Sequence, residues 1–465
     1  MERIPPTAPR PSSRRHGTRG HGTRGHGRLG LAVAAAALAA AGCSSSGSGS
    51  GPAAPTSAAP ATSLPASTGP GGQGAQSVTD YLTYTGGKSG PADKSLPPVY
   101  IGYVNQQGGP TAVGLLATAG AQMAVNYANA ELGGIGGHPV QLVTCFIASA
   151  EEEGTVCAQK FLANSKVNVI ELGGVAVGVQ SFFGTLGGAK PVIDGVAATP
   201  VDSVQKNAVI LFGDATHILA PFGTYAKNVL HAKTAALVYP SDNAGIAVGA
   251  AAIKAGLVAA GISVKAVGYP ETQTDLTSVL TAAGAQTADM VIPYSDSAGC
   301  VNLAKSLTTL GITDTKKIVS APLCLNGQVI KGLGDFPHWT YSIASSLYGD
   351  PTDPGMPAYE AVAKKYSTPA NAPDPWNIVD FGQTLTTIKI MNEVGYANLS
   401  PSAIQAKAKE FAGPQALGAP ALDCGKYGNA PGVCNDRIQF FEYTGGVTSG
   451  KPNWTKVAGW LQPPS

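Results

Sequence analysis

The chain has 465 residues, with 30 Lys and Arg against 28 Asp and Glu and a formal net charge of +2. Charged residues are 12% of the total, about half the usual share, and a length of this order calls for more than one domain. The charge balance excludes a strongly basic nucleic-acid-binding chain, because the positive excess is gathered in Arg10, Arg14, Arg15, Arg19, Arg24 and Arg28, ahead of an apolar run.

Residues 16–25 repeat HGTRG twice, and Leu29 to Ala41 are apolar. A helix needs about 20 apolar residues to span a bilayer, and this run is shorter. A basic segment, a short apolar segment and then small residues form a secretory signal. Arg14-Arg15 leaves the twin-arginine export route open beside the general one. Ala40, Ala41 and Gly42 precede Cys43, which resembles a bacterial lipobox, where the cysteine becomes the N-terminus and carries lipid. Ala40 stands where Leu is usual; plain cleavage after Ala41, leaving a free thiol, is the alternative. Removing Cys43 from the seven cysteines leaves six, an even number that suits disulfides in an oxidising compartment. Residues 1–43 are thus read as a lipoprotein signal.

Residues 44–97 are rich in Ser, Gly, Pro and Ala. Such a segment buries too little apolar surface to offset its ordering entropy. It reads as a disordered tether, with a local ordered patch around Tyr81, Leu82 and Tyr84.

From Val99 the pattern changes. VYIGYV (99–104) reads as a strand, NQQGGP as a turn and GLLATAGAQMAVNYANAEL (114–132) as a helix closed by GGIGG, with HPVQLVTCF (138–146) as the next strand. The alternation continues with helix 149–164, strand 167–174, helix 177–189 and strand 190–195. After AVILFGDATH (208–217) a second series follows: helix 217–231, strand 233–240, helix 244–261, strand 263–270, helix 275–286, strand 288–295, helix 299–311 and strand 316–322. Alternation of this kind predicts parallel sheets covered on both faces, and two series predict two α/β lobes. Ligands of such sheets sit in the crevice at the carboxyl ends of the strands.

No metalloprotease, nucleophile-elbow or phosphate-loop motif is present. GGKSG (86–90) contains GKS but lacks the leading Gly, where Leu82 stands. GGIGG follows a helix and reads as its C-terminal turn. His138, His217, His231 and His338 are isolated, without metal-ligand spacing. Glu151, Glu152 and Glu153 read as a solvated helix start. Among the six cysteines spacing alone does not choose the pairing; proximity along the chain favours Cys145 with Cys157, Cys300 with Cys324 and Cys424 with Cys434.

The segments at 99–145, 163–183, 234–264 and 375–395, in this order and spacing, resemble type I periplasmic binding proteins. The nearest branch is the leucine/isoleucine/valine-binding group of ABC importers. The resemblance implies two Rossmann-like lobes joined by three crossover strands: 98–216 with 346–438, and 217–345 with 439–465. It implies a small-molecule ligand in the cleft, no cofactor, no metal, no catalytic residue and an ABC permease as partner. The chain would be a monomer held outside the cytoplasm, touching the outer face of the membrane by the lipid on Cys43 alone, without nucleic acid. A ligand sensor for a signalling partner, and an exported enzyme, are the alternatives.

Carried over residue by residue, the resemblance places ligand contacts at Gly174, Val175, Ala176 and Val177 after one strand and at Val196, Ala198 and Thr199 after the next. In the second lobe it places them at Ala244, Tyr294 and Asp296. Amino-acid-binding relatives offer hydroxyls in the first two loops, where this chain has Ala176, Val177 and Ala198, with Thr199 one position away. The acid that holds an amine falls near Leu323 and Cys324. Asp296 is either a displaced amine partner or a helix cap. Backbone N–H groups of the two loops would hold an anionic or polar ligand end, with Tyr294, Tyr103, Trp376 and Phe381 as walls or as core.

Overall fold

The computed structural model describes residues 77–109, 114–448 and 451–465. The signal, Cys43 and the tether up to residue 76 lie outside the described residues.

The first sheet is parallel. Its strands are β1 (Val99–Gln106), β2 (Val140–Ile147), β3 (Val167–Leu172), β4 (Val192–Asp194) and β5 (Ala208–Ile210), in the order β2-β1-β3-β4-β5. β1 pairs with β2 from Val99↔Val140 to Gln106↔Ile147. Its side chains are apolar in a run because both faces are covered. On one face Ile101, Val169 and Ile193 pack with Met123 and Val125 of helix Ala117–Glu131 and Ile378, Phe381 and Leu385 of helix Pro375–Val394. On the other, Val104, Ile170 and Val192 pack with Phe161 and Phe182 of helices Glu151–Ala163 and Val179–Leu186.

The second sheet begins with β6 (Thr234–Pro240), β7 (Ser263–Tyr269) and β8 (Met290–Pro293), parallel in the order β7-β6-β8. A single bridge, Val291↔Ile318, leads on to β9 (Val319–Ser320) and β10 (Thr340–Ile343). A small ladder, β11 (Ala412–Gly413) with β12 (Leu422–Asp423), stands apart. The hairpin β13 (Ile438–Thr448) and β14 (Lys451–Leu461) completes the second sheet on the far side of β10, antiparallel throughout. The expected helix over 217–231 is two helices, Ala215–Leu219 and Phe222–Asn228, because Pro221 cannot donate to the preceding turn.

The chain passes between the two sheets three times: after β5, after β10 and before β13. The crossings are tied together. Asn435 Nδ2 donates to Phe212 O at 3.0 Å, and Gln439 Nε2 donates to Ser345 O at 2.9 Å.

The expected ordered patch around Tyr81, Leu82 and Tyr84 is present, and the extent of the tether is corrected: residues 77–97 pack on the first sheet's helices rather than forming part of it. Asp80 caps a helix, Tyr81–Thr85, by accepting from Leu82 and Thr83 N–H. Tyr81 is 3% exposed and meets Phe381 and Tyr127 edge-on, with ring centroids 5.5 and 6.1 Å apart. The Tyr84 hydroxyl pairs with Thr386 Oγ1 at 2.8 Å, and Gly90 bridges to Leu132. Two aromatic residues provide the apolar area that composition averaged over 54 residues concealed.

Candidate functional site

In sheets of this kind ligands sit at the carboxyl ends of the strands, which here carry the loops after β1, β3 and β4 of the first sheet and after β6, β8 and β9 of the second.

After β3, Gly174 is buried and close against its neighbours: a Cβ there would come within 2.7 Å of Gly114 backbone and 3.2 Å of the Trp376 indole. Ala176 is exposed and Val177 half-buried, but their N–H groups are already used. Both donate to Gln106 Oε1, at 2.8 and 3.1 Å. The next donors are used as well: Gly178 and Ser181 N–H reach the Glu151 carboxylate, each at 2.8 Å. Of the N–H groups expected to hold a ligand in this loop, those of Gly173, Ala176, Val177 and Gly178 are therefore bonded within the chain. The Val175 side chain packs in the core at 4% exposure.

Glu151 and Glu153 are likewise not merely solvated. Glu153 accepts from Ala148, Ser149 and Ala150 N–H, and these backbone bonds hold its carboxyl below the ordinary value. Glu151 serves the neighbouring helix instead of its own.

After β4, Val196 and Ala198 are half-buried. Thr199 caps helix Pro200–Ser203: its hydroxyl donates to Asp202 Oδ2 at 2.7 Å and accepts from Val201 N–H at 3.2 Å. That hydroxyl is occupied by the capping box. Beneath this loop Asp194 and Asp202 lie side by side and buried. Burial raises both carboxyls, and Asp202 raises Asp194 further.

Under β3 and β4 lies a polar floor. The Tyr103 hydroxyl donates to Asp380 Oδ1 at 2.7 Å, and Gln383 Nε2 donates to Leu172 O and Ile193 O at 2.9 Å. Thr384 donates to Glu171 Oε2 at 2.8 Å. Burial pushes the Glu171 carboxyl up to about 7 and holds that of Asp380 well above the ordinary range. Tyr103 and Phe381 are thus core, not cleft wall; Trp376 is half-buried beside Gly174 and remains available.

In the second lobe Ala244 is exposed at the start of helix Ala244–Ala259, which Asn243 caps. Tyr294 is a core residue, 5% exposed, with its hydroxyl against the helix; a Cβ on Gly249 would fall 2.1 Å from it. Its expected place as a ligand wall is corrected for that reason. Of the two readings of Asp296, the cap is the one the geometry fills: Oδ1 accepts from Gly299 N–H at 2.8 Å. Cys324, near the position expected for an amine-binding acid, is bonded to Cys300. Cys145 is bonded to Cys157 and Cys424 to Cys434.

The loops 105–118, 173–181, 195–203, 241–247, 294–299 and 321–328 contain no Lys or Arg. Among the described residues no cluster of three or more His, Cys, Asp or Glu could hold a metal ion, and no helix is long and apolar enough to cross a membrane. Two surface pockets, of about 260 and 300 Å³, lie away from these loops, beside Tyr127 and Lys365 and beside Pro98 and Lys166. Sequence reasoning missed Gln106 and Glu151 as the partners of the β3 loop. The signal available for Gln106 was NQQ at the end of a strand; nothing local linked Glu151 to residue 178.

The periplasmic binding protein family model matches residues 98–429. No curated protein is detectably similar to the chain. Among solved structures, an ABC transporter substrate-binding protein from Sphaerobacter thermophilus is 15% identical with a TM-score of 0.65, covering 79% of this chain and 99% of its own. A leucine-binding protein from Thermotoga maritima is 16% identical with a TM-score of 0.60, covering 78% and 99%. A solute-binding protein from R. palustris in complex with 4-hydroxybenzoate is 17% identical with a TM-score of 0.61, covering 79% and 98%. At these identities the likeness carries the fold.

Proposed function

Because the chain belongs to the periplasmic binding protein family, we propose that it is an extracytoplasmic solute-binding lipoprotein that delivers a small ligand to an ABC permease. No bond is made or broken: the ligand is held between two lobes and released. The observation that carries this reading is the match over 98–429 together with two sheets linked by three crossings, each sheet ending in loops at the same kind of strand end. The lobes in this reading are 98–216 with 346–438 and 217–345 with 439–465. Residues 77–97 belong with the first lobe, so the leash from Cys43 would hold that lobe and leave the second to move.

The similar structures include a leucine-binding protein and a 4-hydroxybenzoate complex, so the reading covers amino acids, amides and related organic compounds. Native mass spectrometry of protein purified from its source without denaturation tests it. The expected result is a retained small molecule that dissociates on activation. No retained molecule, combined with no binding across amino acids, amides and aromatic acids, would overturn it. The anchor has its own test: Cys43→Ala should release the protein into the medium with ligand binding unchanged. A variant that stays on the membrane after a salt wash would refute the lipid.

A further inference from the structure

The loop after β3 has the geometry of an anion-binding nest: two successive N–H groups, of Ala176 and Val177, converge on one oxygen. That oxygen is Gln106 Oε1, from the end of β1. Ala176 is exposed and Val177 half-buried, and their N–H groups are filled from within the chain by Gln106 Oε1. The two donors that follow, Gly178 and Ser181 N–H, are held by Glu151. A ligand carboxylate reaching the N–H groups of Ala176, Val177, Gly178 and Ser181 meets donors already bonded, with an amide oxygen and a carboxylate beside them.

A second observation is independent of the nest. Asn105, the neighbour of Gln106, is 0% exposed, and its Oδ1 has no donor. Its amide nitrogen is spent on Gly114 O at 2.7 Å and Gln107 Oε1 at 2.9 Å, which fixes the oxygen toward the β3 loop. A Cβ on Gly173 would lie 3.1 Å from that oxygen, and one on Gly114 would lie 2.8 Å from it. A buried acceptor, with no donor of its own, thus lies directly behind the β3 loop. A buried acceptor without a partner favours a group that donates. The absence of Lys and Arg from all six framing loops acts in the same direction.

We propose that Gln106 is a specificity-determining residue: it occupies the β3 nest and thereby selects ligands whose polar end donates hydrogen bonds, an amide, amine or hydroxyl, over carboxylates. This deepens the solute-binding reading and rests on it. Removing the Gln106 carbonyl frees two N–H groups, and two bonds to a charged acceptor correspond to a gain of about a hundredfold in carboxylate affinity.

The test uses the whole exported protein. Acetate is titrated while the amide signals of Ala176 and Val177 are followed by NMR, in wild type, Gln106→Ala and Gln106→Met. The Met variant keeps the side-chain length should the smaller one unfold. The expected result is no movement in wild type at millimolar acetate and a saturable shift of both signals in a folded variant. Equal movement in wild type, or none in the variants, overturns the proposal. Calorimetry with benzamide against benzoate and leucinamide against leucine supplies the second readout. The amide of each pair is expected to bind wild type the more tightly, with the preference reduced at least tenfold in the variants. Tighter binding of the acid by wild type overturns the proposal while leaving solute binding intact. Failure of the solute-binding reading shows differently, as no binding by any member of either pair, and the acetate titration still decides who occupies the nest.

Discussion

Replacing Tyr81 separates two forces that act on one side chain. The residue is 3% exposed, and its ring packs on Phe381 and Tyr127, yet its hydroxyl is buried with no hydrogen-bond partner. Truncating a buried aromatic residue to Ala costs about 3–5 kcal/mol, and edge-on ring pairs of this kind supply about 0.5–1.5 kcal/mol each within that figure. An orphaned buried hydroxyl costs about 1–3 kcal/mol, so its removal offsets part of the loss. Tyr81→Ala should therefore destabilise by about 2–3 kcal/mol. Tyr81→Phe keeps the ring, discards the orphan and should stabilise by about 1 kcal/mol. Urea unfolding of the full chain, followed by tryptophan fluorescence and circular dichroism, measures both. If Tyr81→Ala lies within a few tenths of wild type, residues 77–97 do not dock on the first lobe. If Tyr81→Phe is the less stable protein, the hydroxyl has a partner and the accounting is wrong.

Stability should fall as pH rises from about 4.5 to about 7. Glu171 is raised to about 7 by burial from an ordinary 4.5, so the native state keeps a proton that the unfolded chain releases across that window. The native state is therefore favoured below it and penalised above it. The size is on the order of 3 kcal/mol for this group, Asp194 and Asp202 are shifted in the same direction, and Glu171→Gln should flatten a plot of melting temperature against pH. A melting temperature that climbs from pH 5 to pH 8 would contradict this. Two glycine substitutions should have opposite signs in thermal melts. Gly120→Ala sets a Cβ 2.2 Å from the Asn377 carbonyl oxygen between two packed helices and should cost about 1–3 kcal/mol. Gly184→Ala meets nothing within 4 Å in its helix and should add up to about 1 kcal/mol. Peptide mapping without reductant should recover the three sequential disulfides. Replacing Cys300 and Cys324 together by Ala, which opens a link across 24 residues, should cost about 3 kcal/mol; an unchanged unfolding midpoint would speak against that bond.

The order of strands and helices from Val99 to Cys324 was legible because each element carries its own period and its own punctuation. Apolar runs end at glycine turns, and four of the helices begin at Thr199, Asp214, Asn243 and Asp296; these are local, short-range causes. The family resemblance over the same span depended on that order. Sequential disulfide pairing was favoured by proximity, and the bonds join the nearest partners along the chain. What local pattern could not reach were interactions between segments far apart in sequence. Gln106 meets Ala176 across 70 positions, Glu151 meets Ser181 across 30, and Tyr84 meets Thr386 across 302. Tyr294, Tyr103 and Phe381 looked equally suited to a cleft wall or to a core, because an aromatic side chain serves both and only the surrounding atoms distinguish them. The loops expected to hold a ligand were found where the strand order put them, but whether their donors were free depended on side chains arriving from other strands and helices. Sequence by itself therefore determined the alternation of elements and the places where a site could lie. The tertiary structure alone decided which N–H and hydroxyl groups were still unspent there, because hydrogen-bond capacity is shared among neighbours in space and not among neighbours in the chain.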